Sequence, residues 1–374
     1  MRVLHASTRF FPFVGGVESL VRDICASEIS NIEFVVTFPD ILGYFPEPYL
    51  VDDFWVKPFQ IRDDLRIKFH EGVNPSEWDT IKILGDCKKF IKDVQPDILH
   101  IHASHEVSLT MAIAAISTDT SFVTHIHGVY PPDKRPTDIQ KLIELSKSVI
   151  YVSKEAMDAN QDLHNSGKRV YLLRNAVKKI ELESKKPSEL VNKVILLAGR
   201  LEDEKGFDIA IMAFALVCRN DKGVVLHIAG NGSKRGELQA LVAHLGIENR
   251  VEFLGTLSRS DLQNRIADSY CVVVPSKRVE GFSLLAAEAA MLNRPVIASR
   301  VGGLKSTIVH EETGILVDPN RPEKLAESIL EIVQDSDYAD RLGNRAKTRA
   351  QAEFEFGGYM EQLTKIYRST DFKS

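Results

Sequence analysis

Cysteine is scarce in this chain, and its spacing excludes two kinds of site. The four cysteines are Cys25, Cys87, Cys218 and Cys271. No two of them form a C-x-x-C pair, so the sequence has neither the spacing of a zinc ribbon nor that of a thioredoxin-like motif. Each cysteine lies in an apolar helix or strand pattern, which is typical of buried free thiols in a reducing compartment.

Long hydrophobic runs and an excess of positive charge are also lacking. No apolar run reaches the roughly 18 residues that a membrane-spanning helix needs, and no leader peptide is recognised before the first predicted strand. The net charge is −5 and neither half of the chain is basic, which argues against nucleic acid as the main partner. We therefore expect a cytoplasmic protein, with a peripheral contact at the inner face of a membrane as the alternative.

The 374 residues do contain a regular alternation of short apolar runs and helical patterns. Strands are predicted from Arg2–Ala6 to Arg169–Leu173, and a second series runs from Val194–Ala198 to Gly314–Val317. Such alternation is typical of parallel sheets covered by helices on both faces. The sequence therefore predicts an α/β fold.

A polar, lysine-rich segment separates the two series of strands. Residues 178–192 are interpreted as an inter-domain linker. The chain is accordingly predicted to form two doubly wound, Rossmann-like domains, 1–177 and 193–357, that face each other across a cleft. Interfaces between domains are favoured places for small-molecule sites.

The most informative motif combines a strand, a turn and a helix start. The run 271–276 is strand-like, Glu280 and Gly281 follow on the turn, and a helical pattern begins at Leu284 and includes Glu288. Backbone N–H groups at a helix start can hold a phosphate, and open α/β sheets bind ligands at the carboxyl ends of their strands. Because carboxylates accept hydrogen bonds from hydroxyl groups, the motif suggests a nucleotide-sugar site.

Two cations follow the first strand of the second series. Arg200 offers a planar fork and Lys205 a point charge, which together suit a diphosphate leaving group and could replace a metal ion. The structural alternative is a solvated loop in which both cations pair with the acidic residues 202–204.

A glycine pair opens the first helix. Gly15 and Gly16 lack side chains, so the backbone there can approach a diphosphate closely. A flexible loop is the structural alternative. No G-x-G-x-x-G follows the first strand, which disfavours a dinucleotide-dependent dehydrogenase. Glu18 is interpreted as a carboxylate in the first turn of the helix.

Histidines follow two strands of the first series. His127 comes directly after the strand 122–126, and His125 shares its face of that strand. His100, His102 and His105 form an H-x-H-x-x-H pattern near Asp97, which has the composition of a metal site. The structural alternative is a group of histidines at the end of a strand that holds no metal.

Taken in their order, these elements resemble the retaining glycosyltransferases of the GT-B fold, most closely family 4. Glu280 and Glu288 match the family's signature of two glutamates separated by seven residues. The other landmarks span nearly the whole chain and are Gly15-Gly16-Val17-Glu18, His125-Ile126-His127-Gly128, Gly199 to Gly206, Gly230-Asn231-Gly232 and Gly302-Gly303. The resemblance implies a GT-B fold in which 1–177 binds the acceptor, 193–357 binds the nucleotide sugar, and a C-terminal helix at 358–374 crosses back to the first domain.

The resemblance also implies the roles of individual residues. The implied catalytic residues are His127, Arg200, Lys205 and Glu280. The implied donor-binding residues are Gly15, Gly16, Gly232, Leu257, Gly281, Phe282, Ser283, Leu284 and Glu288. Glu280 would bind hydroxyls of the transferred sugar and Glu288 those of the ribose. The family often has glycine where Ser283 stands.

The implied reaction is a hexosyltransferase-type transfer from a nucleotide sugar to a hydroxyl acceptor such as a glycan, glycolipid or glycosylated metabolite. The family retains the anomeric configuration through front-face attack, so the leaving diphosphate, stabilised by Arg200 and Lys205, takes the acceptor proton. No cofactor and no metal are expected.

Aromatic residues bear on the acceptor. The region 38–60 contains Phe38, Tyr44, Phe45, Tyr49, Phe54, Trp55 and Phe59, and Phe10, Phe11 and Phe13 precede the glycine pair. A satellite hydrophobic cluster under long loops is one interpretation. The other is a platform for a lipid-linked or partly apolar acceptor, because aromatic faces stack on sugars and contact lipids.

Two other functions fit the same architecture. A sugar-nucleotide epimerase would lack the donor-site cations and the spaced glutamates. A non-catalytic partner subunit that binds nucleotide sugars is disfavoured because no implied catalytic position has been lost. The sequence leaves open the donor sugar, the base, the acceptor, the linkage and the oligomeric state.

Overall fold

The computed structural model describes residues 1–7, 10, 15–40, 45, 47–60, 77–103, 106–182 and 184–370. The chain divides into two compact units. The first unit comprises residues 1–173 and 359–374, and the second comprises residues 174–358.

The first unit is built on a mostly parallel sheet. Its described strands are β1 Arg2–Ala6, β2 Glu33–Thr37, β3 Pro39–Asp40, β4 Tyr49–Val51, β5 Phe54–Val56, β6 Phe59–Gln60, β7 Ile98–Ala103, β8 Ser121–Ile126, β9 Ser148–Tyr151 and β10 Arg169–Leu172. The main sheet has the order β10-β9-β8-β7-β1-β2-β5-β4, and β3 pairs with β6 separately. Within the main sheet β4 pairs with β5 in the antiparallel sense, whereas the other pairs are parallel.

Helices connect the parallel strands of this unit. They are α1 Gly16–Cys25, α2 Glu77–Val94, α3 Glu106–Ser117, α4 Thr137–Leu145 and α5 Lys154–Asp158. Every residue of β7 is buried, as expected for a central strand with both faces covered. The strand order reverses its direction between β1 and β7, and this switch point is where doubly wound sheets bind ligands.

The second unit has an all-parallel sheet. Its strands are β11 Lys193–Ala198, β12 Val224–Ala229, β13 Val251–Gly255, β14 Cys271–Val274, β15 Val296–Ser299 and β16 Ile315–Val317. The order β13-β12-β11-β14-β15-β16 is that of the Rossmann fold, with its switch point between β11 and β14. The helices are α6 Phe207–Asn220, α7 Arg235–His244, α8 Arg259–Ala267, α9 Leu284–Met291, α10 Leu304–Thr307, α11 Pro322–Gln334 and α12 Ser336–Glu353.

The last helix, α13 Phe356–Thr370, brings the chain back into the first unit at Tyr359. Tyr359, Leu363, Ile366 and Tyr367 are buried, with the three- and four-residue spacing that lines one face of a helix. The Tyr171 hydroxyl lies 3.0 Å from the Ser369 hydroxyl. Helix α13 is therefore part of the core of the first unit.

Two Rossmann-like α/β units were predicted, and the structure confirms this. The short strands β3 to β6 were not predicted, because segments of two or three residues show no periodicity. The predicted linker 178–192 belongs by its contacts to the second unit, where Ser188 binds the Asp340 carboxylate through its backbone N–H and its hydroxyl. Within the described part of the chain, no helix is both long and apolar enough to cross a membrane.

Candidate functional site

The loops that follow β11 and β14 meet at the switch point of the second sheet. Strands β11 and β14 are parallel neighbours, so their carboxyl ends lie at the same edge. Arg200 and Lys205 come from the first of these loops and Glu280 from the second. The strand order therefore joins two motifs that are far apart in the sequence.

Lys205 and Glu280 form an ion pair at this edge. The Lys205 Nζ lies 2.5 Å from the Glu280 Oε1, and the Ser276 hydroxyl donates to the same oxygen at 2.5 Å. The side chain of Glu280 is 14% exposed and that of Lys205 is 30% exposed. An ammonium and a carboxylate thus stand in contact at the position where this class of sheet binds ligands.

Arg200 has a different environment. Its Nη2 lies 3.2 Å from the Glu204 Oε1, and 54% of its side chain is exposed. A largely exposed pair of this kind contributes little to stability, so the guanidinium can exchange Glu204 for another anion at small cost. The structural alternative, in which both cations pair with residues 202–204, holds for Arg200, whereas Lys205 pairs with Glu280. The phosphate-binding role of Arg200 stays a prediction.

Helix α9 begins at Leu284, after a short turn that starts at Glu280. The Ser283 hydroxyl caps this helix by accepting from the Ala286 N–H at 3.3 Å. Glu288 lies one turn into the helix, and its Oε1 is 3.7 Å from the Arg259 Nε. Phe282 packs edge-on against Phe354, with ring centroids 5.4 Å apart, which anchors the turn between the two glutamates.

Glycines allow the neighbouring loop to touch this turn. The Gly303 N–H donates to the Glu280 carbonyl at 2.6 Å. A Cβ added at Gly303 would lie 1.8 Å from the Gly281 carbonyl oxygen, and one added at Gly302 would lie 2.3 Å from the Glu280 carbonyl oxygen. Only glycine fits such a backbone contact, so Gly302 and Gly303 hold the Glu280 turn in place.

The other predicted donor-binding positions of this unit lie at the same sheet edge. Gly232 follows β12, and a Cβ there would lie 2.5 Å from the Leu201 carbonyl oxygen. Leu257 follows β13 and packs, half-buried, against the apolar cluster around α9. Tight turns after the strands are enough to explain these two positions. Their role in binding the nucleotide stays a prediction.

In the first unit, Gly15 and Gly16 begin α1 as predicted. Gly15 is the N-terminal capping residue, and a Cβ there would lie 2.4 Å from the Glu18 Oε2. Glu18 is a buried residue of the first turn. Here the structure supports the interpretation of Glu18 as a helix-start carboxylate.

Five histidines and one tyrosine form a hydrogen-bonded cluster in this unit, which we call the histidine array. Its members are His5, His100, His102, His125, His127 and Tyr367. Neighbouring strands β1, β7 and β8 supply four of the histidines, with His5 opposite His100 and His102 opposite His125, and His127 follows β8 directly. Helix α13 supplies the tyrosine. Since alternate residues of a strand share a face, the H-x-H spacing places His100 beside His102 on β7 and His125 beside His127 at the end of β8.

Burial keeps these histidines neutral. It lowers the pKa of His5 and of His127 to about 3. Burial, with smaller contributions from neighbouring rings, holds the pKa values of His100, His102 and His125 well below the ordinary value. Desolvation disfavours the charged form of a buried imidazole, so each ring carries one N–H and one lone pair at neutral pH.

The array has the composition of a metal site. Ring nitrogens of His5, His100 and His102 lie within 4.8 Å of one another, as do those of His102, His125 and His127. Most of these nitrogens are hydrogen-bonded within the array. Among the described residues, the buried ring nitrogens without a partner are His125 Nε2 and His127 Nδ1. His105, the third member of the predicted pattern, lies outside the described residues.

Some members of these sites were missed by sequence reasoning. Ser276, Arg259, His5 and Tyr367 contact predicted residues but were not singled out. Ser276 is the last residue of the strand-like run before Glu280. Its place at the carboxyl end of that run was the signal in the sequence that could have identified it as a site residue. Nothing local to residue 367 indicates that it contacts histidines more than 200 residues earlier.

The aromatic region is described in part. Phe10 and Phe54 are buried and pack edge-on, with centroids 6.0 Å apart. Phe45 packs against Phe38 and against Tyr49 at 5.7 and 5.5 Å. These contacts are those of a hydrophobic cluster. Trp55 differs, since it is 47% exposed. Phe11, Phe13 and Tyr44 lie outside the described residues.

Comparisons with known proteins agree with the fold. Residues 14–179 match the model described as Glycosyltransferase Family 4, and residues 178–349 match Glycosyl transferases group 1. An uncharacterized glycosyltransferase of Methanocaldococcus jannaschii is 26% identical over 98% of both chains. The alpha-D-kanosaminyltransferase of Streptomyces kanamyceticus is 30% identical over 47% of this chain and 45% of the relative. The matched segment thus spans less than half of that relative, as it does of several others.

Solved structures share the two-unit architecture. Anabaena HepE in complex with UDP has a TM-score of 0.77 and 21% identity, covering 99% of this chain and 100% of that one. Sucrose-phosphate synthase from Thermosynechococcus elongatus has a TM-score of 0.77 and 18% identity, covering 98% of each chain. The fold defines a protein of the GT-B class. The two family models, read together, cover nearly the whole chain, and the protein belongs to the group 1, family 4 glycosyltransferases.

Proposed function

We propose that this protein transfers a sugar from a nucleotide-sugar donor to a hydroxyl group of an acceptor, with retention of configuration and without a metal ion. The observation that carries the proposal is the contact between Lys205 and Glu280 at the switch point of the second sheet. This contact brings Lys205, which would bind the donor phosphate, and Glu280, which would bind the donor sugar, to the same ligand-binding edge.

The ion pair suggests how the donor binds. A diphosphate carries more negative charge than one carboxylate, so it competes with Glu280 for the Lys205 ammonium. When Lys205 turns to the phosphate, the Glu280 oxygen gains a free acceptor position. A hydroxyl of the transferred sugar can then donate to it. Donor phosphate and donor sugar would therefore replace one internal ion pair with two contacts.

The reaction requires charge stabilisation more than a nucleophile. In front-face attack, the bond from C1 to the phosphate oxygen breaks as the bond from the acceptor oxygen to C1 forms, and the acceptor proton moves to the leaving phosphate. Arg200 and Lys205 would stabilise the charge that develops on that phosphate. Glu280 is hydrogen-bonded by Ser276, which suits an acceptor of sugar hydroxyls, and we give it no nucleophilic role.

The proposal includes a metal-free site because two cations already stand where the diphosphate would bind. It also includes a partly apolar or lipid-linked acceptor, which Trp55 supports through its exposed ring. A peripheral membrane contact belongs to the same proposal. The UDP in the Anabaena HepE structures supports UDP as the first ligand to test.

The test measures thermal unfolding with UDP, GDP, ADP and dTDP, each with and without EDTA. A nucleotide at about 100 times its dissociation constant should stabilise the protein by about 2.7 kcal/mol. Lys205→Ala should abolish most of that shift, because the diphosphate loses its charge partner. Lys324→Ala is the matched control, since Lys324 also forms an ion pair, with Glu327, on the surface of α11.

The outcomes separate the parts of the proposal. The same shift with and without EDTA is expected, and a shift that EDTA removes would overturn the metal-free site. No shift with any of the four nucleotides would overturn the donor site. An unchanged UDP affinity in the Lys205→Ala variant would show that Lys205 does not bind the phosphate. Sugar release from UDP-sugars by the wild-type protein, followed as UDP formation, then tests catalysis itself.

A further inference from the structure

The hydrogen bonds of the histidine array form one unbranched path. The His127 Nε2 lies 2.9 Å from the His102 Nδ1, and the His102 Nε2 lies 2.9 Å from the His5 Nδ1. The His5 Nε2 lies 3.3 Å from the Tyr367 hydroxyl. On the other side of that hydroxyl, the His100 Nδ1 lies at 2.6 Å, and the His100 Nε2 lies 3.2 Å from the His125 Nδ1.

The number of protons restricts this path to two states. A neutral imidazole has one N–H, and a tyrosine has one O–H. Every inner member contacts two neighbours, so it must donate to one and accept from the other. All the hydrogen bonds therefore run in the same direction, either from His127 to His125 or from His125 to His127. In either state, the two terminal nitrogens, His127 Nδ1 and His125 Nε2, carry one proton between them.

The distances around Tyr367 select the direction. An O–H donor makes shorter hydrogen bonds than an N–H donor, by about 0.2 Å. The contact of 2.6 Å to His100 suits the hydroxyl as donor, and the contact of 3.3 Å to His5 suits an N–H donating to the hydroxyl oxygen. The bonds then run from His127 to His125, which leaves His127 Nδ1 without a proton.

We propose that Tyr367 is a positioning residue that fixes the ring protons of the array, so that His127 presents an unprotonated Nδ1. Such a nitrogen accepts a hydrogen bond from a hydroxyl group and has no proton to offer a phosphate. The chemical class of the group facing it is therefore a hydroxyl, such as one on a sugar. This last step rests on the proposed function, whereas the proton arrangement does not.

The experiment measures the ring ¹⁵N shifts of the full chain labelled at histidine, with no ligand added. Protonated and unprotonated ring nitrogens of neutral imidazole are well separated in ¹⁵N shift, and histidine-to-glutamine variants supply the assignments. We expect the protonated fractions at His127 Nδ1 and His125 Nε2 to sum to one, with the proton at His125. The measurement needs no sugar, so its failure is distinct from failure of the proposed function.

The decisive variant is Tyr367→Phe, which removes the hydroxyl and keeps the ring. The path then separates into His127–His102–His5 and His100–His125. In each part the hydrogen bonds can run in either direction, independently of the other part. The protonated fraction at His127 Nδ1 should rise from near zero towards about one half. Tyr270→Phe is the matched control, because the Tyr270 hydroxyl is buried and has no hydrogen-bond partner among the described residues. This control should leave both fractions unchanged.

Three results would overturn the proposal. The first is a sum in the wild-type protein that departs from one, and this result requires no variant to fold. The second is a Tyr367→Phe protein in which both fractions equal those of the wild type. The third is a change of the ring shifts on chelation, since a bound metal would take the nitrogen lone pairs that the proton path uses.

Discussion

Mild acid should destabilise the first unit through its buried histidines. The pKa of His5 and that of His127 lie at about 3 in the folded chain, against about 6.5 for an exposed histidine. Between these values the unfolded chain binds protons that the folded chain does not. The stabilisation is therefore fully present above pH 6.5 and is lost as the pH falls towards 3.

The magnitude follows from the two values. Between pH 7 and pH 5, each of these histidines should cost the folded state about 1.9 kcal/mol, so the pair costs about 4 kcal/mol. Typical domains are stable by about 5–15 kcal/mol, so this loss is large. His100, His102 and His125 shift in the same direction and add to it.

The assay is urea unfolding at pH 7 and pH 5, followed by tryptophan fluorescence. Both tryptophans, Trp55 and Trp78, belong to the first unit, so the signal reports that unit. His5→Gln removes one titrating ring and should reduce the stability difference between the two pH values by about 2 kcal/mol. His244→Gln, at the exposed end of α7, is the control. If both variants kept the full wild-type difference in the free energy of unfolding between pH 7 and pH 5, protonation of His5 would not be a cause of the acid sensitivity.

Two further predictions concern the donor turn and the acceptor. Gly303→Ala should weaken UDP binding and destabilise the second unit by about 1–3 kcal/mol, because the new methyl group meets the Gly281 carbonyl. Calorimetry measures both effects. Neither is expected for the control Gly236→Ala, where an added Cβ meets nothing within 4 Å. Trp55→Ala should raise the KM for an aryl glycoside acceptor about two- to tenfold by removing a stacking face, whereas Leu145→Ala, another exposed apolar residue of the first unit, should not. An acceptor KM equal to that of the wild type would reduce Trp55 to a packing role.

Much of the fold was predictable because it depends on local periodicity. The strand β1, for example, was predicted at Arg2–Ala6, the bounds that the structure shows. The ends of several helices were not, since helix ends depend on capping contacts rather than on the apolar pattern. The apolar pattern of the sequence predicts a helix over 17–29, for example, but the helix ends at Cys25.

The candidate site was predictable only as separate pieces. Arg200, Lys205 and Glu280 were identified from residue chemistry and from a family resemblance. The sequence did not predict that Lys205 and Glu280 touch, or that Ser276 shares the same carboxylate oxygen. Those contacts depend on the adjacency of β11 and β14, which is a property of strand order and not of any local pattern.

The histidine array shows most clearly which features the sequence determines and which the tertiary structure decides. The sequence by itself determined the number of rings and, through the two-residue period of a strand, that the rings of one strand share a face. The tertiary structure decided which strands are neighbours and placed Tyr367, from the far end of the chain, between His5 and His100. A hydrogen bond is made or lost within a few tenths of an ångström, and only the packed fold sets distances on that scale.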